Sequence, residues 1–288
     1  MDDYRTVSRN TWAYLANHGC DSCLPYGPME FKHARRWLDS RGWIPWKRIN
    51  SVLCLACGGG QQGLLFASLG YNVTVFDLSP EQLAIDREAA ARYGFAIDCR
   101  EGDMQDLSAL RGRDFDLVYQ AVSACYVPDV RKMYAEVSSV LKPGGYYRVE
   151  HWNPVHIQLA NRRTWDGGAY RIARPQVAGQ PVRSAIAWDE ETGKSSGTCW
   201  HYIHPLADLV GGLCDSGFVI LRFAESTNKN EAAAPGSHEH LAAFLPAFFS
   251  MFARRRQGHF SSILNFGSTS QHRGGLQADA SPASRALR

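Results

Sequence analysis

From residue 4 to 18 and again from 29 to 40, apolar side chains recur at helical spacing, with Trp12, Leu15, Phe31 and Leu38 among them. This predicts N-terminal helices laid over a larger domain. The pattern then shifts to short apolar runs. SVLCLAC (51–57) ends in Gly58, Gly59 and Gly60 and predicts a buried parallel strand feeding a helix. That helix runs through LLFASL and stops at Gly70, a left-handed position just past a helix end. NVTVFD (72–77) predicts a second strand. Ser79, Pro80 and Gln82 then give the next helix an N-cap serine, a proline at its first position and a capping-box glutamine. Gly94 closes that helix, AIDCR (96–100) is a third strand and FDLVYQ (115–120) a fourth. A helix from Pro128 leads to the turn LKPGG, and YYRVEHW (146–152) is a fifth strand.

Strand and helix that alternate in this way make an α/β domain whose parallel sheet carries helices on both faces. Residues 153–187 break the regularity with Gly, Pro and Arg, and AIAWDEETGKSSGTCWHYIH predicts a hairpin turning at Gly193 and Gly197. HPLADLVGGLCDSGF resumes helical spacing, VILRF (219–223) is a sixth strand and FLPAFFSMFARR holds a seventh. The expected architecture is a seven-stranded, mostly parallel Rossmann-like sheet. A helical cap (1–48) precedes the core (49–152), an aromatic-rich lid (153–203) is inserted, the core is completed by 204–256, and a polar tail (257–288) is expected to be disordered. Ligands on such sheets bind beyond the carboxyl ends of the strands, which singles out the loops that begin at Cys57, Asp77, Asp103, Gln120 and His151.

Composition narrows the function classes. With 288 residues, 45% hydrophobic, the chain can bury one large core. A formal charge of +3 with scattered basic residues lacks the footprint of a nucleic-acid binder, which favours a small-molecule partner. No apolar run approaches the roughly 18 residues of a membrane span, and MDDYRTVSRN lacks a basic n-region and an apolar h-region, so a cytoplasmic protein is expected. The 8 cysteines are too sparse for a disulfide scaffold and are expected to be reduced thiols. The pairs Cys20/Cys23 and Cys54/Cys57 have zinc-like spacing. Cys54 lies inside an apolar strand and Cys57 opens a glycine loop, so no metal is expected. The sequence sets no oligomeric state.

Gly58, Gly60 and Gly63 match G-x-G-x-x-G between a strand and a helix, with Asp77 ending the next strand. Glycines let backbone approach a ligand closely, and a carboxylate at that strand tip accepts hydrogen bonds from ribose hydroxyls. The motif alone serves dinucleotides and nucleosides equally. Asp103 and Met104 follow the third strand, where a carboxylate can take an adenine amino group and an apolar side chain can pack on the ring. Taken together, VLCLACGGG, VTVFDLSPEQL, GDMQDL, FDLVYQ and LKPGG resemble the class I S-adenosylmethionine-dependent methyltransferases, strongly over residues 50–152 and loosely over 200–253.

The resemblance implies a methyl transfer from S-adenosylmethionine and assigns residues to it. Ala56, Cys57, Gly58, Gly59 and Gly60 match the loop that wraps the methionine part of the cofactor. Asp77 matches the ribose-binding acid with Leu78 beside the adenine, Asp103 and Met104 match adenine contacts, and Gln120 matches the residue bordering the cofactor after the fourth strand. Two positions depart from the family. Cys54 stands where an acid is usual and Ala56 where a glycine is usual, so contacts to the cofactor's amino group are expected from elsewhere, such as the N-terminal helices.

Methyl transfer is an in-line displacement whose main demand is a near-attack geometry in a dry pocket, and a base helps where the acceptor must lose a proton. His151, ending the fifth strand, is the candidate base, or else a histidine that anchors the lid. Tyr126, Trp152, His201 and His204 are candidate acceptor contacts, with His156 a lesser one. Strand alternation places Trp200, Tyr202 and His204 on one face and His201 on the other. Trp152, Trp165, Trp188 and Trp200 give the lid an aromatic character that suits a planar acceptor or a filled core. Similar chains serve secondary metabolism. The alternatives are a nicotinamide-dependent oxidoreductase and a non-catalytic cofactor-binding protein.

Overall fold

The structure is a computed structural model, and it describes residues 3–159, 165–185, 198–226, 230 and 232–258. Trp188, Gly193, Gly197 and residues 259–288 of the tail lie outside the described residues. In chain order the helices and strands are α1 (Tyr4–Asn17), α2 (Pro28–Phe31), α3 (Ala34–Leu38), β1 (Ser51–Leu55), α4 (Gln62–Ser68), β2 (Asn72–Asp77), α5 (Pro80–Tyr93), β3 (Ile97–Glu101) and β4 (Phe115–Gln120). They continue with α6 (Val130–Val140), β5 (Leu141–Trp152), α7 (Pro154–Gln158), β6 (Pro181–Ala185), β7 (Thr198–Tyr202), α8 (Gly212–Asp215), β8 (Phe218–Glu225), α9 (His238–Phe244) and β9 (Phe248–Arg255).

The seven-stranded sheet has the order β3-β2-β1-β4-β5-β9-β8. The first five strands are parallel, and β9 runs antiparallel to β5 and β8. Period-two alternation sorts the side chains between two cores. Leu53, Leu55, Val118, Tyr147 and Val149 pack with Met133, Tyr134 and Val137 of α6. Val52, Cys54, Val75, Leu117 and Tyr119 pack with Leu38 of α3 and Leu65 and Phe66 of α4. The order reverses between β1 and β4, which opens a crevice at their carboxyl ends.

Helix boundaries follow local chemistry. Ser79 caps α5 by accepting the Gln82 amide, and Gly94 closes it at φ 73°. The glutamine does not complete a capping box: its Nε2 reaches Trp12 O at 3.2 Å and Cys23 Sγ at 2.9 Å. Gly70 follows α4 at φ 84°, as expected. LKPGG is not a turn ahead of the fifth strand. The strand begins at Leu141, and its register on β4 slips between the pairs Phe115–Leu141 and Leu117–Tyr146, so the intervening residues bulge.

In the insertion, β6 pairs antiparallel with β7, and Ile203 packs with Cys125, Ile157 and Trp152. Trp165 lies instead among Tyr170, His240 and Phe244. Among the described residues no helix is long and apolar enough to cross a membrane.

Candidate active site

The crevice holds a cavity of about 300 Å³. Its floor is the turn after β1. Ala56 sits in the left-handed region at φ 48°, where a side chain is unfavourable by roughly 1–2 kcal/mol. At Gly58 an added Cβ would come within 2.6 Å of Gln82 Cβ, so only glycine lets the loop lie this close to α5. Asp77 ties the floor together. Its Oδ2 accepts the Gly58 amide at 2.9 Å and its Oδ1 the Ser79 amide at 3.0 Å. Burial pushes this carboxyl above its ordinary range, against the pull of those amides.

The cavity's roof is α1. Tyr4, Ser8 and Trp12, one helical turn apart, all line the cavity. Tyr4 and Arg5 both donate to Asp103 Oδ2, the arginine at 2.7 Å, while Asp103 Oδ1 accepts the Gln105 amide. Arg9 holds Glu101 at 2.7 Å and the Leu78 carbonyl at 3.3 Å. The Asp103 carboxylate expected to meet an adenine amino group is therefore engaged by α1, and any such contact shares it with Tyr4 and Arg5. Burial, then Asp103, pushes the Tyr4 hydroxyl well above its usual value.

Among residues expected at a cofactor site, Ala56, Cys57, Gly58, Asp77, Leu78, Asp103 and Met104 line this cavity. Gly59 and Gly60 lie behind it, against Gln82 and Pro25. Gln120 is fully buried behind Met104; it donates to Ser123 Oγ at 2.9 Å and accepts from Tyr147.

On the acceptor side the structure corrects the expectation for His151. Alternation along β5 turns Val149 and His151 toward α6, whereas Glu150 lines the cavity. His151 Nε2 is 2.8 Å from the Tyr134 hydroxyl, which also donates to Leu209 O, and the ring borders a separate small cavity with His204 and Trp152. Burial, with His204 adding, pulls this imidazole down to about 3. Enclosed on the far face of the strand, the ring does not line the main cavity.

Tyr126 alone of the expected acceptor contacts lines the cavity. His201 packs behind it, with ring centroids 5.0 Å apart, and Trp152 packs behind His201 at 4.7 Å. His204 Nε2 lies 3.1 Å from Ala124 O. His156 stacks on Trp152. Sequence reasoning missed Tyr4, Ser8, Trp12 and Glu150. The i, i+4 spacing of the first three was a usable signal, since it puts them on one stripe of α1.

Residues 53–149 match a methyltransferase domain family. Over 192 residues the chain is 32% identical to an uncharacterized methyltransferase, YbaJ, of Bacillus subtilis (strain 168), a match that covers 64% of this chain and 72% of that relative. The chain belongs to the class I S-adenosylmethionine-dependent methyltransferases. A solved S-adenosylmethionine-dependent methyltransferase from Mesorhizobium loti is 26% identical, with TM-score 0.55 over 78% of this chain and 100% of that one. A methyltransferase from Clostridium acetobutylicum, at 18% identity, shares the fold with TM-score 0.52 over 79% of this chain and 98% of the other. A ubiquinone biosynthesis O-methyltransferase of Xanthomonas campestris is 30% identical over 145 residues, and the chain spans 59% of its length. Membership sets aside the oxidoreductase and the non-catalytic binding protein.

The cavity suits the methyltransferase cofactor. Ser8 Oγ is buried at its edge with no hydrogen-bond partner, a polar atom in want of a ligand. Asp77 offers a carboxylate beside the Ala56–Gly58 backbone, and Phe76, Leu78 and Met104 offer apolar surface for a flat ring.

Proposed function

We propose that this methyltransferase moves the methyl group of S-adenosylmethionine to a hydroxyl of a small, ring-bearing molecule held between Trp12, Tyr126 and Glu150, and that Glu150 takes up the proton. The observation that carries the reading is the state of the carboxylates in the cavity. Asp77 is committed to loop amides and Asp103 to α1. Among the described residues Glu150 has one polar side-chain partner, Arg148 Nη2 at 3.0 Å, and that guanidinium is itself steadied 4.8 Å over the Tyr119 ring.

Trp12 and Tyr126 meet edge to face at 5.7 Å and give an aromatic wall. A cavity of this size, roofed by α1, favours a small acceptor over a nucleic acid. Oxygen is favoured by the relatives named as O-methyltransferases. The residues would hold cofactor and acceptor in line for displacement at the sulfonium carbon, with water excluded by Trp12, Val122, Tyr126 and Val127. Asp77 and the loop at Ala56–Gly58 would hold the ribose and methionine parts. Service in secondary metabolism rests on the family resemblance, and a reducing, cytoplasmic setting on 8 cysteines too sparse for a disulfide scaffold.

Methyl transfer to a panel of phenols, amines and thiols tests the reading. Turnover with phenols, much reduced in Glu150→Gln, supports it. Turnover confined to amines or thiols contradicts it.

A further inference from the structure

Asp86 is a carboxylate that the cavity does not use. It lies on α5, fully buried beneath the glycine loop. Its Oδ2 accepts the Gly59 amide at 2.9 Å. Its Oδ1 is buried with no hydrogen-bond partner and stands over Gly63, where an added Cβ would lie 3.4 Å from it. The charged and titratable groups facing it are Asp77 at the tip of β2, Cys54 on β1, Cys57 in the loop, Cys99 on β3 and Arg87 on its own helix. Arg87 is exposed and turned to the Cys99 carbonyl at 3.3 Å, so among the described residues no cation is paired with Asp86. Burying a carboxylate with a vacant oxygen is strongly unfavourable, and a small apolar side chain would fill the space without that cost.

We propose that Asp86 is a positioning residue for the cofactor: its ionised carboxylate fixes the glycine loop through Gly59 and supplies a buried negative charge beneath it, matched to a cationic ligand. The inference rests on the family's cofactor and not on the identity of the acceptor. Gly59 and Gly60 take φ values of 100° and 76°, so the loop's shape depends on what restrains its amides. Asp86, which does not line the cavity, bonds the first of these directly.

Burial pushes Asp86 up to about 7; Asp77 adds to the rise, while the Gly60 and Gly59 amides and Arg87 oppose it. The three neighbouring thiols are all raised by burial and stay neutral in this range. Near neutrality Asp86 is therefore divided between its two forms. A ligand that brings positive charge draws it to the ionised form and expels its proton. S-adenosylmethionine carries a sulfonium charge that S-adenosylhomocysteine lacks, so the substrate expels more of the proton than the product does.

Calorimetric titration of the whole protein with both ligands tests this, in buffers of different ionisation enthalpy and from about pH 5.5 to 8.5. Expected for the wild type is greater proton release with S-adenosylmethionine than with S-adenosylhomocysteine. S-adenosylmethionine affinity should climb with pH by about tenfold for each unit by which binding lowers the Asp86 value. Asp86→Asn keeps the shape and an acceptor for Gly59 but removes the charge. It should bind S-adenosylmethionine about tenfold or more weakly near pH 8, with a flattened pH profile and a smaller change for S-adenosylhomocysteine. Comparison with the wild type removes the ligand's own ionisation. Asp77→Asn should weaken binding and retain a slope, displaced to lower pH because the Asp77 charge no longer raises Asp86.

Wild-type affinity and slope in Asp86→Asn, or a slope that disappears with Asp77 instead, overturns the proposal. Equal proton release by the two ligands in the wild type overturns it independently of whether the variant folds.

Discussion

The two halves of the crevice are built differently. On the β1–β2–β3 side, backbone does the positioning. A glycine-tight turn, an N-capped helix and Asp77 bonded to two amides leave the chain few alternatives. On the β5 side, side chains from four distant parts of the chain meet: Trp12 from α1, Tyr126 after β4, Glu150 on β5 and His201 behind them on β7. Local motifs encode the first kind of site, whereas the second exists only once the sheet, α1 and the insertion have packed. On the proposed reading, the cofactor lies on the side that local motifs encode and the acceptor on the side that only tertiary packing assembles.

The sharpest way to break this contrast is on β5 itself. Glu150→Gln should lower turnover by about 10²- to 10⁴-fold while leaving cofactor affinity nearly intact, the usual worth of a positioned base. His151→Gln should leave turnover within a few-fold of wild type. Comparable losses in both would mean that the strand's two faces do not divide the work as described.

His151 has a different signature, in stability. Its imidazole is held near 3 in the folded chain against about 6.5 unfolded, so its neutral form stabilises the fold fully above about pH 6.5. That contribution, on the order of 4–5 kcal/mol, is lost as pH falls from about 6.5 through about 3. Denaturant melts of wild type and His151→Gln across this window should show the acid-sensitive step shrinking in the variant. An unchanged acid profile would show that the ring is not the buried neutral group described here.

On the cofactor side, Asp77→Ala should weaken cofactor binding by about 2–3 kcal/mol, the scale of hydrogen bonds to a charged group. Undiminished binding by a folded variant would remove Asp77 from the site. The smallest effect expected is at Ala56, whose left-handed backbone suits glycine. Ala56→Gly should raise stability by up to about 1 kcal/mol, because relief of strain exceeds the added flexibility of the unfolded chain. A lower melting temperature would contradict this.

These contrasts explain what was legible in the sequence. The strands of the sheet, the helix start at Ser79, the helix that follows Pro128 and the stops at Gly70 and Gly94 follow from short-range chemistry, and the structure reproduces them. So does the cluster of Ala56, Cys57, Gly58, Asp77, Leu78, Asp103 and Met104 around one cavity. His151 was misplaced for a definite reason: topology locates the end of β5 but not which residue of a period-two strand faces inward, and a slip of one position exchanges Glu150 for His151. The engagement of Asp103 by Tyr4 and Arg5 joins residues 99 and 98 positions apart, beyond the reach of local pattern.

A crystal structure with S-adenosylhomocysteine bound would test the central claim most directly. The ribose should lie on Asp77, Ser8 Oγ should gain a partner, and the ligand's sulfur should face Glu150 and the Trp12–Tyr126 wall. A sulfur that faces the His151 cavity, or a ribose bound away from Asp77, would contradict the account.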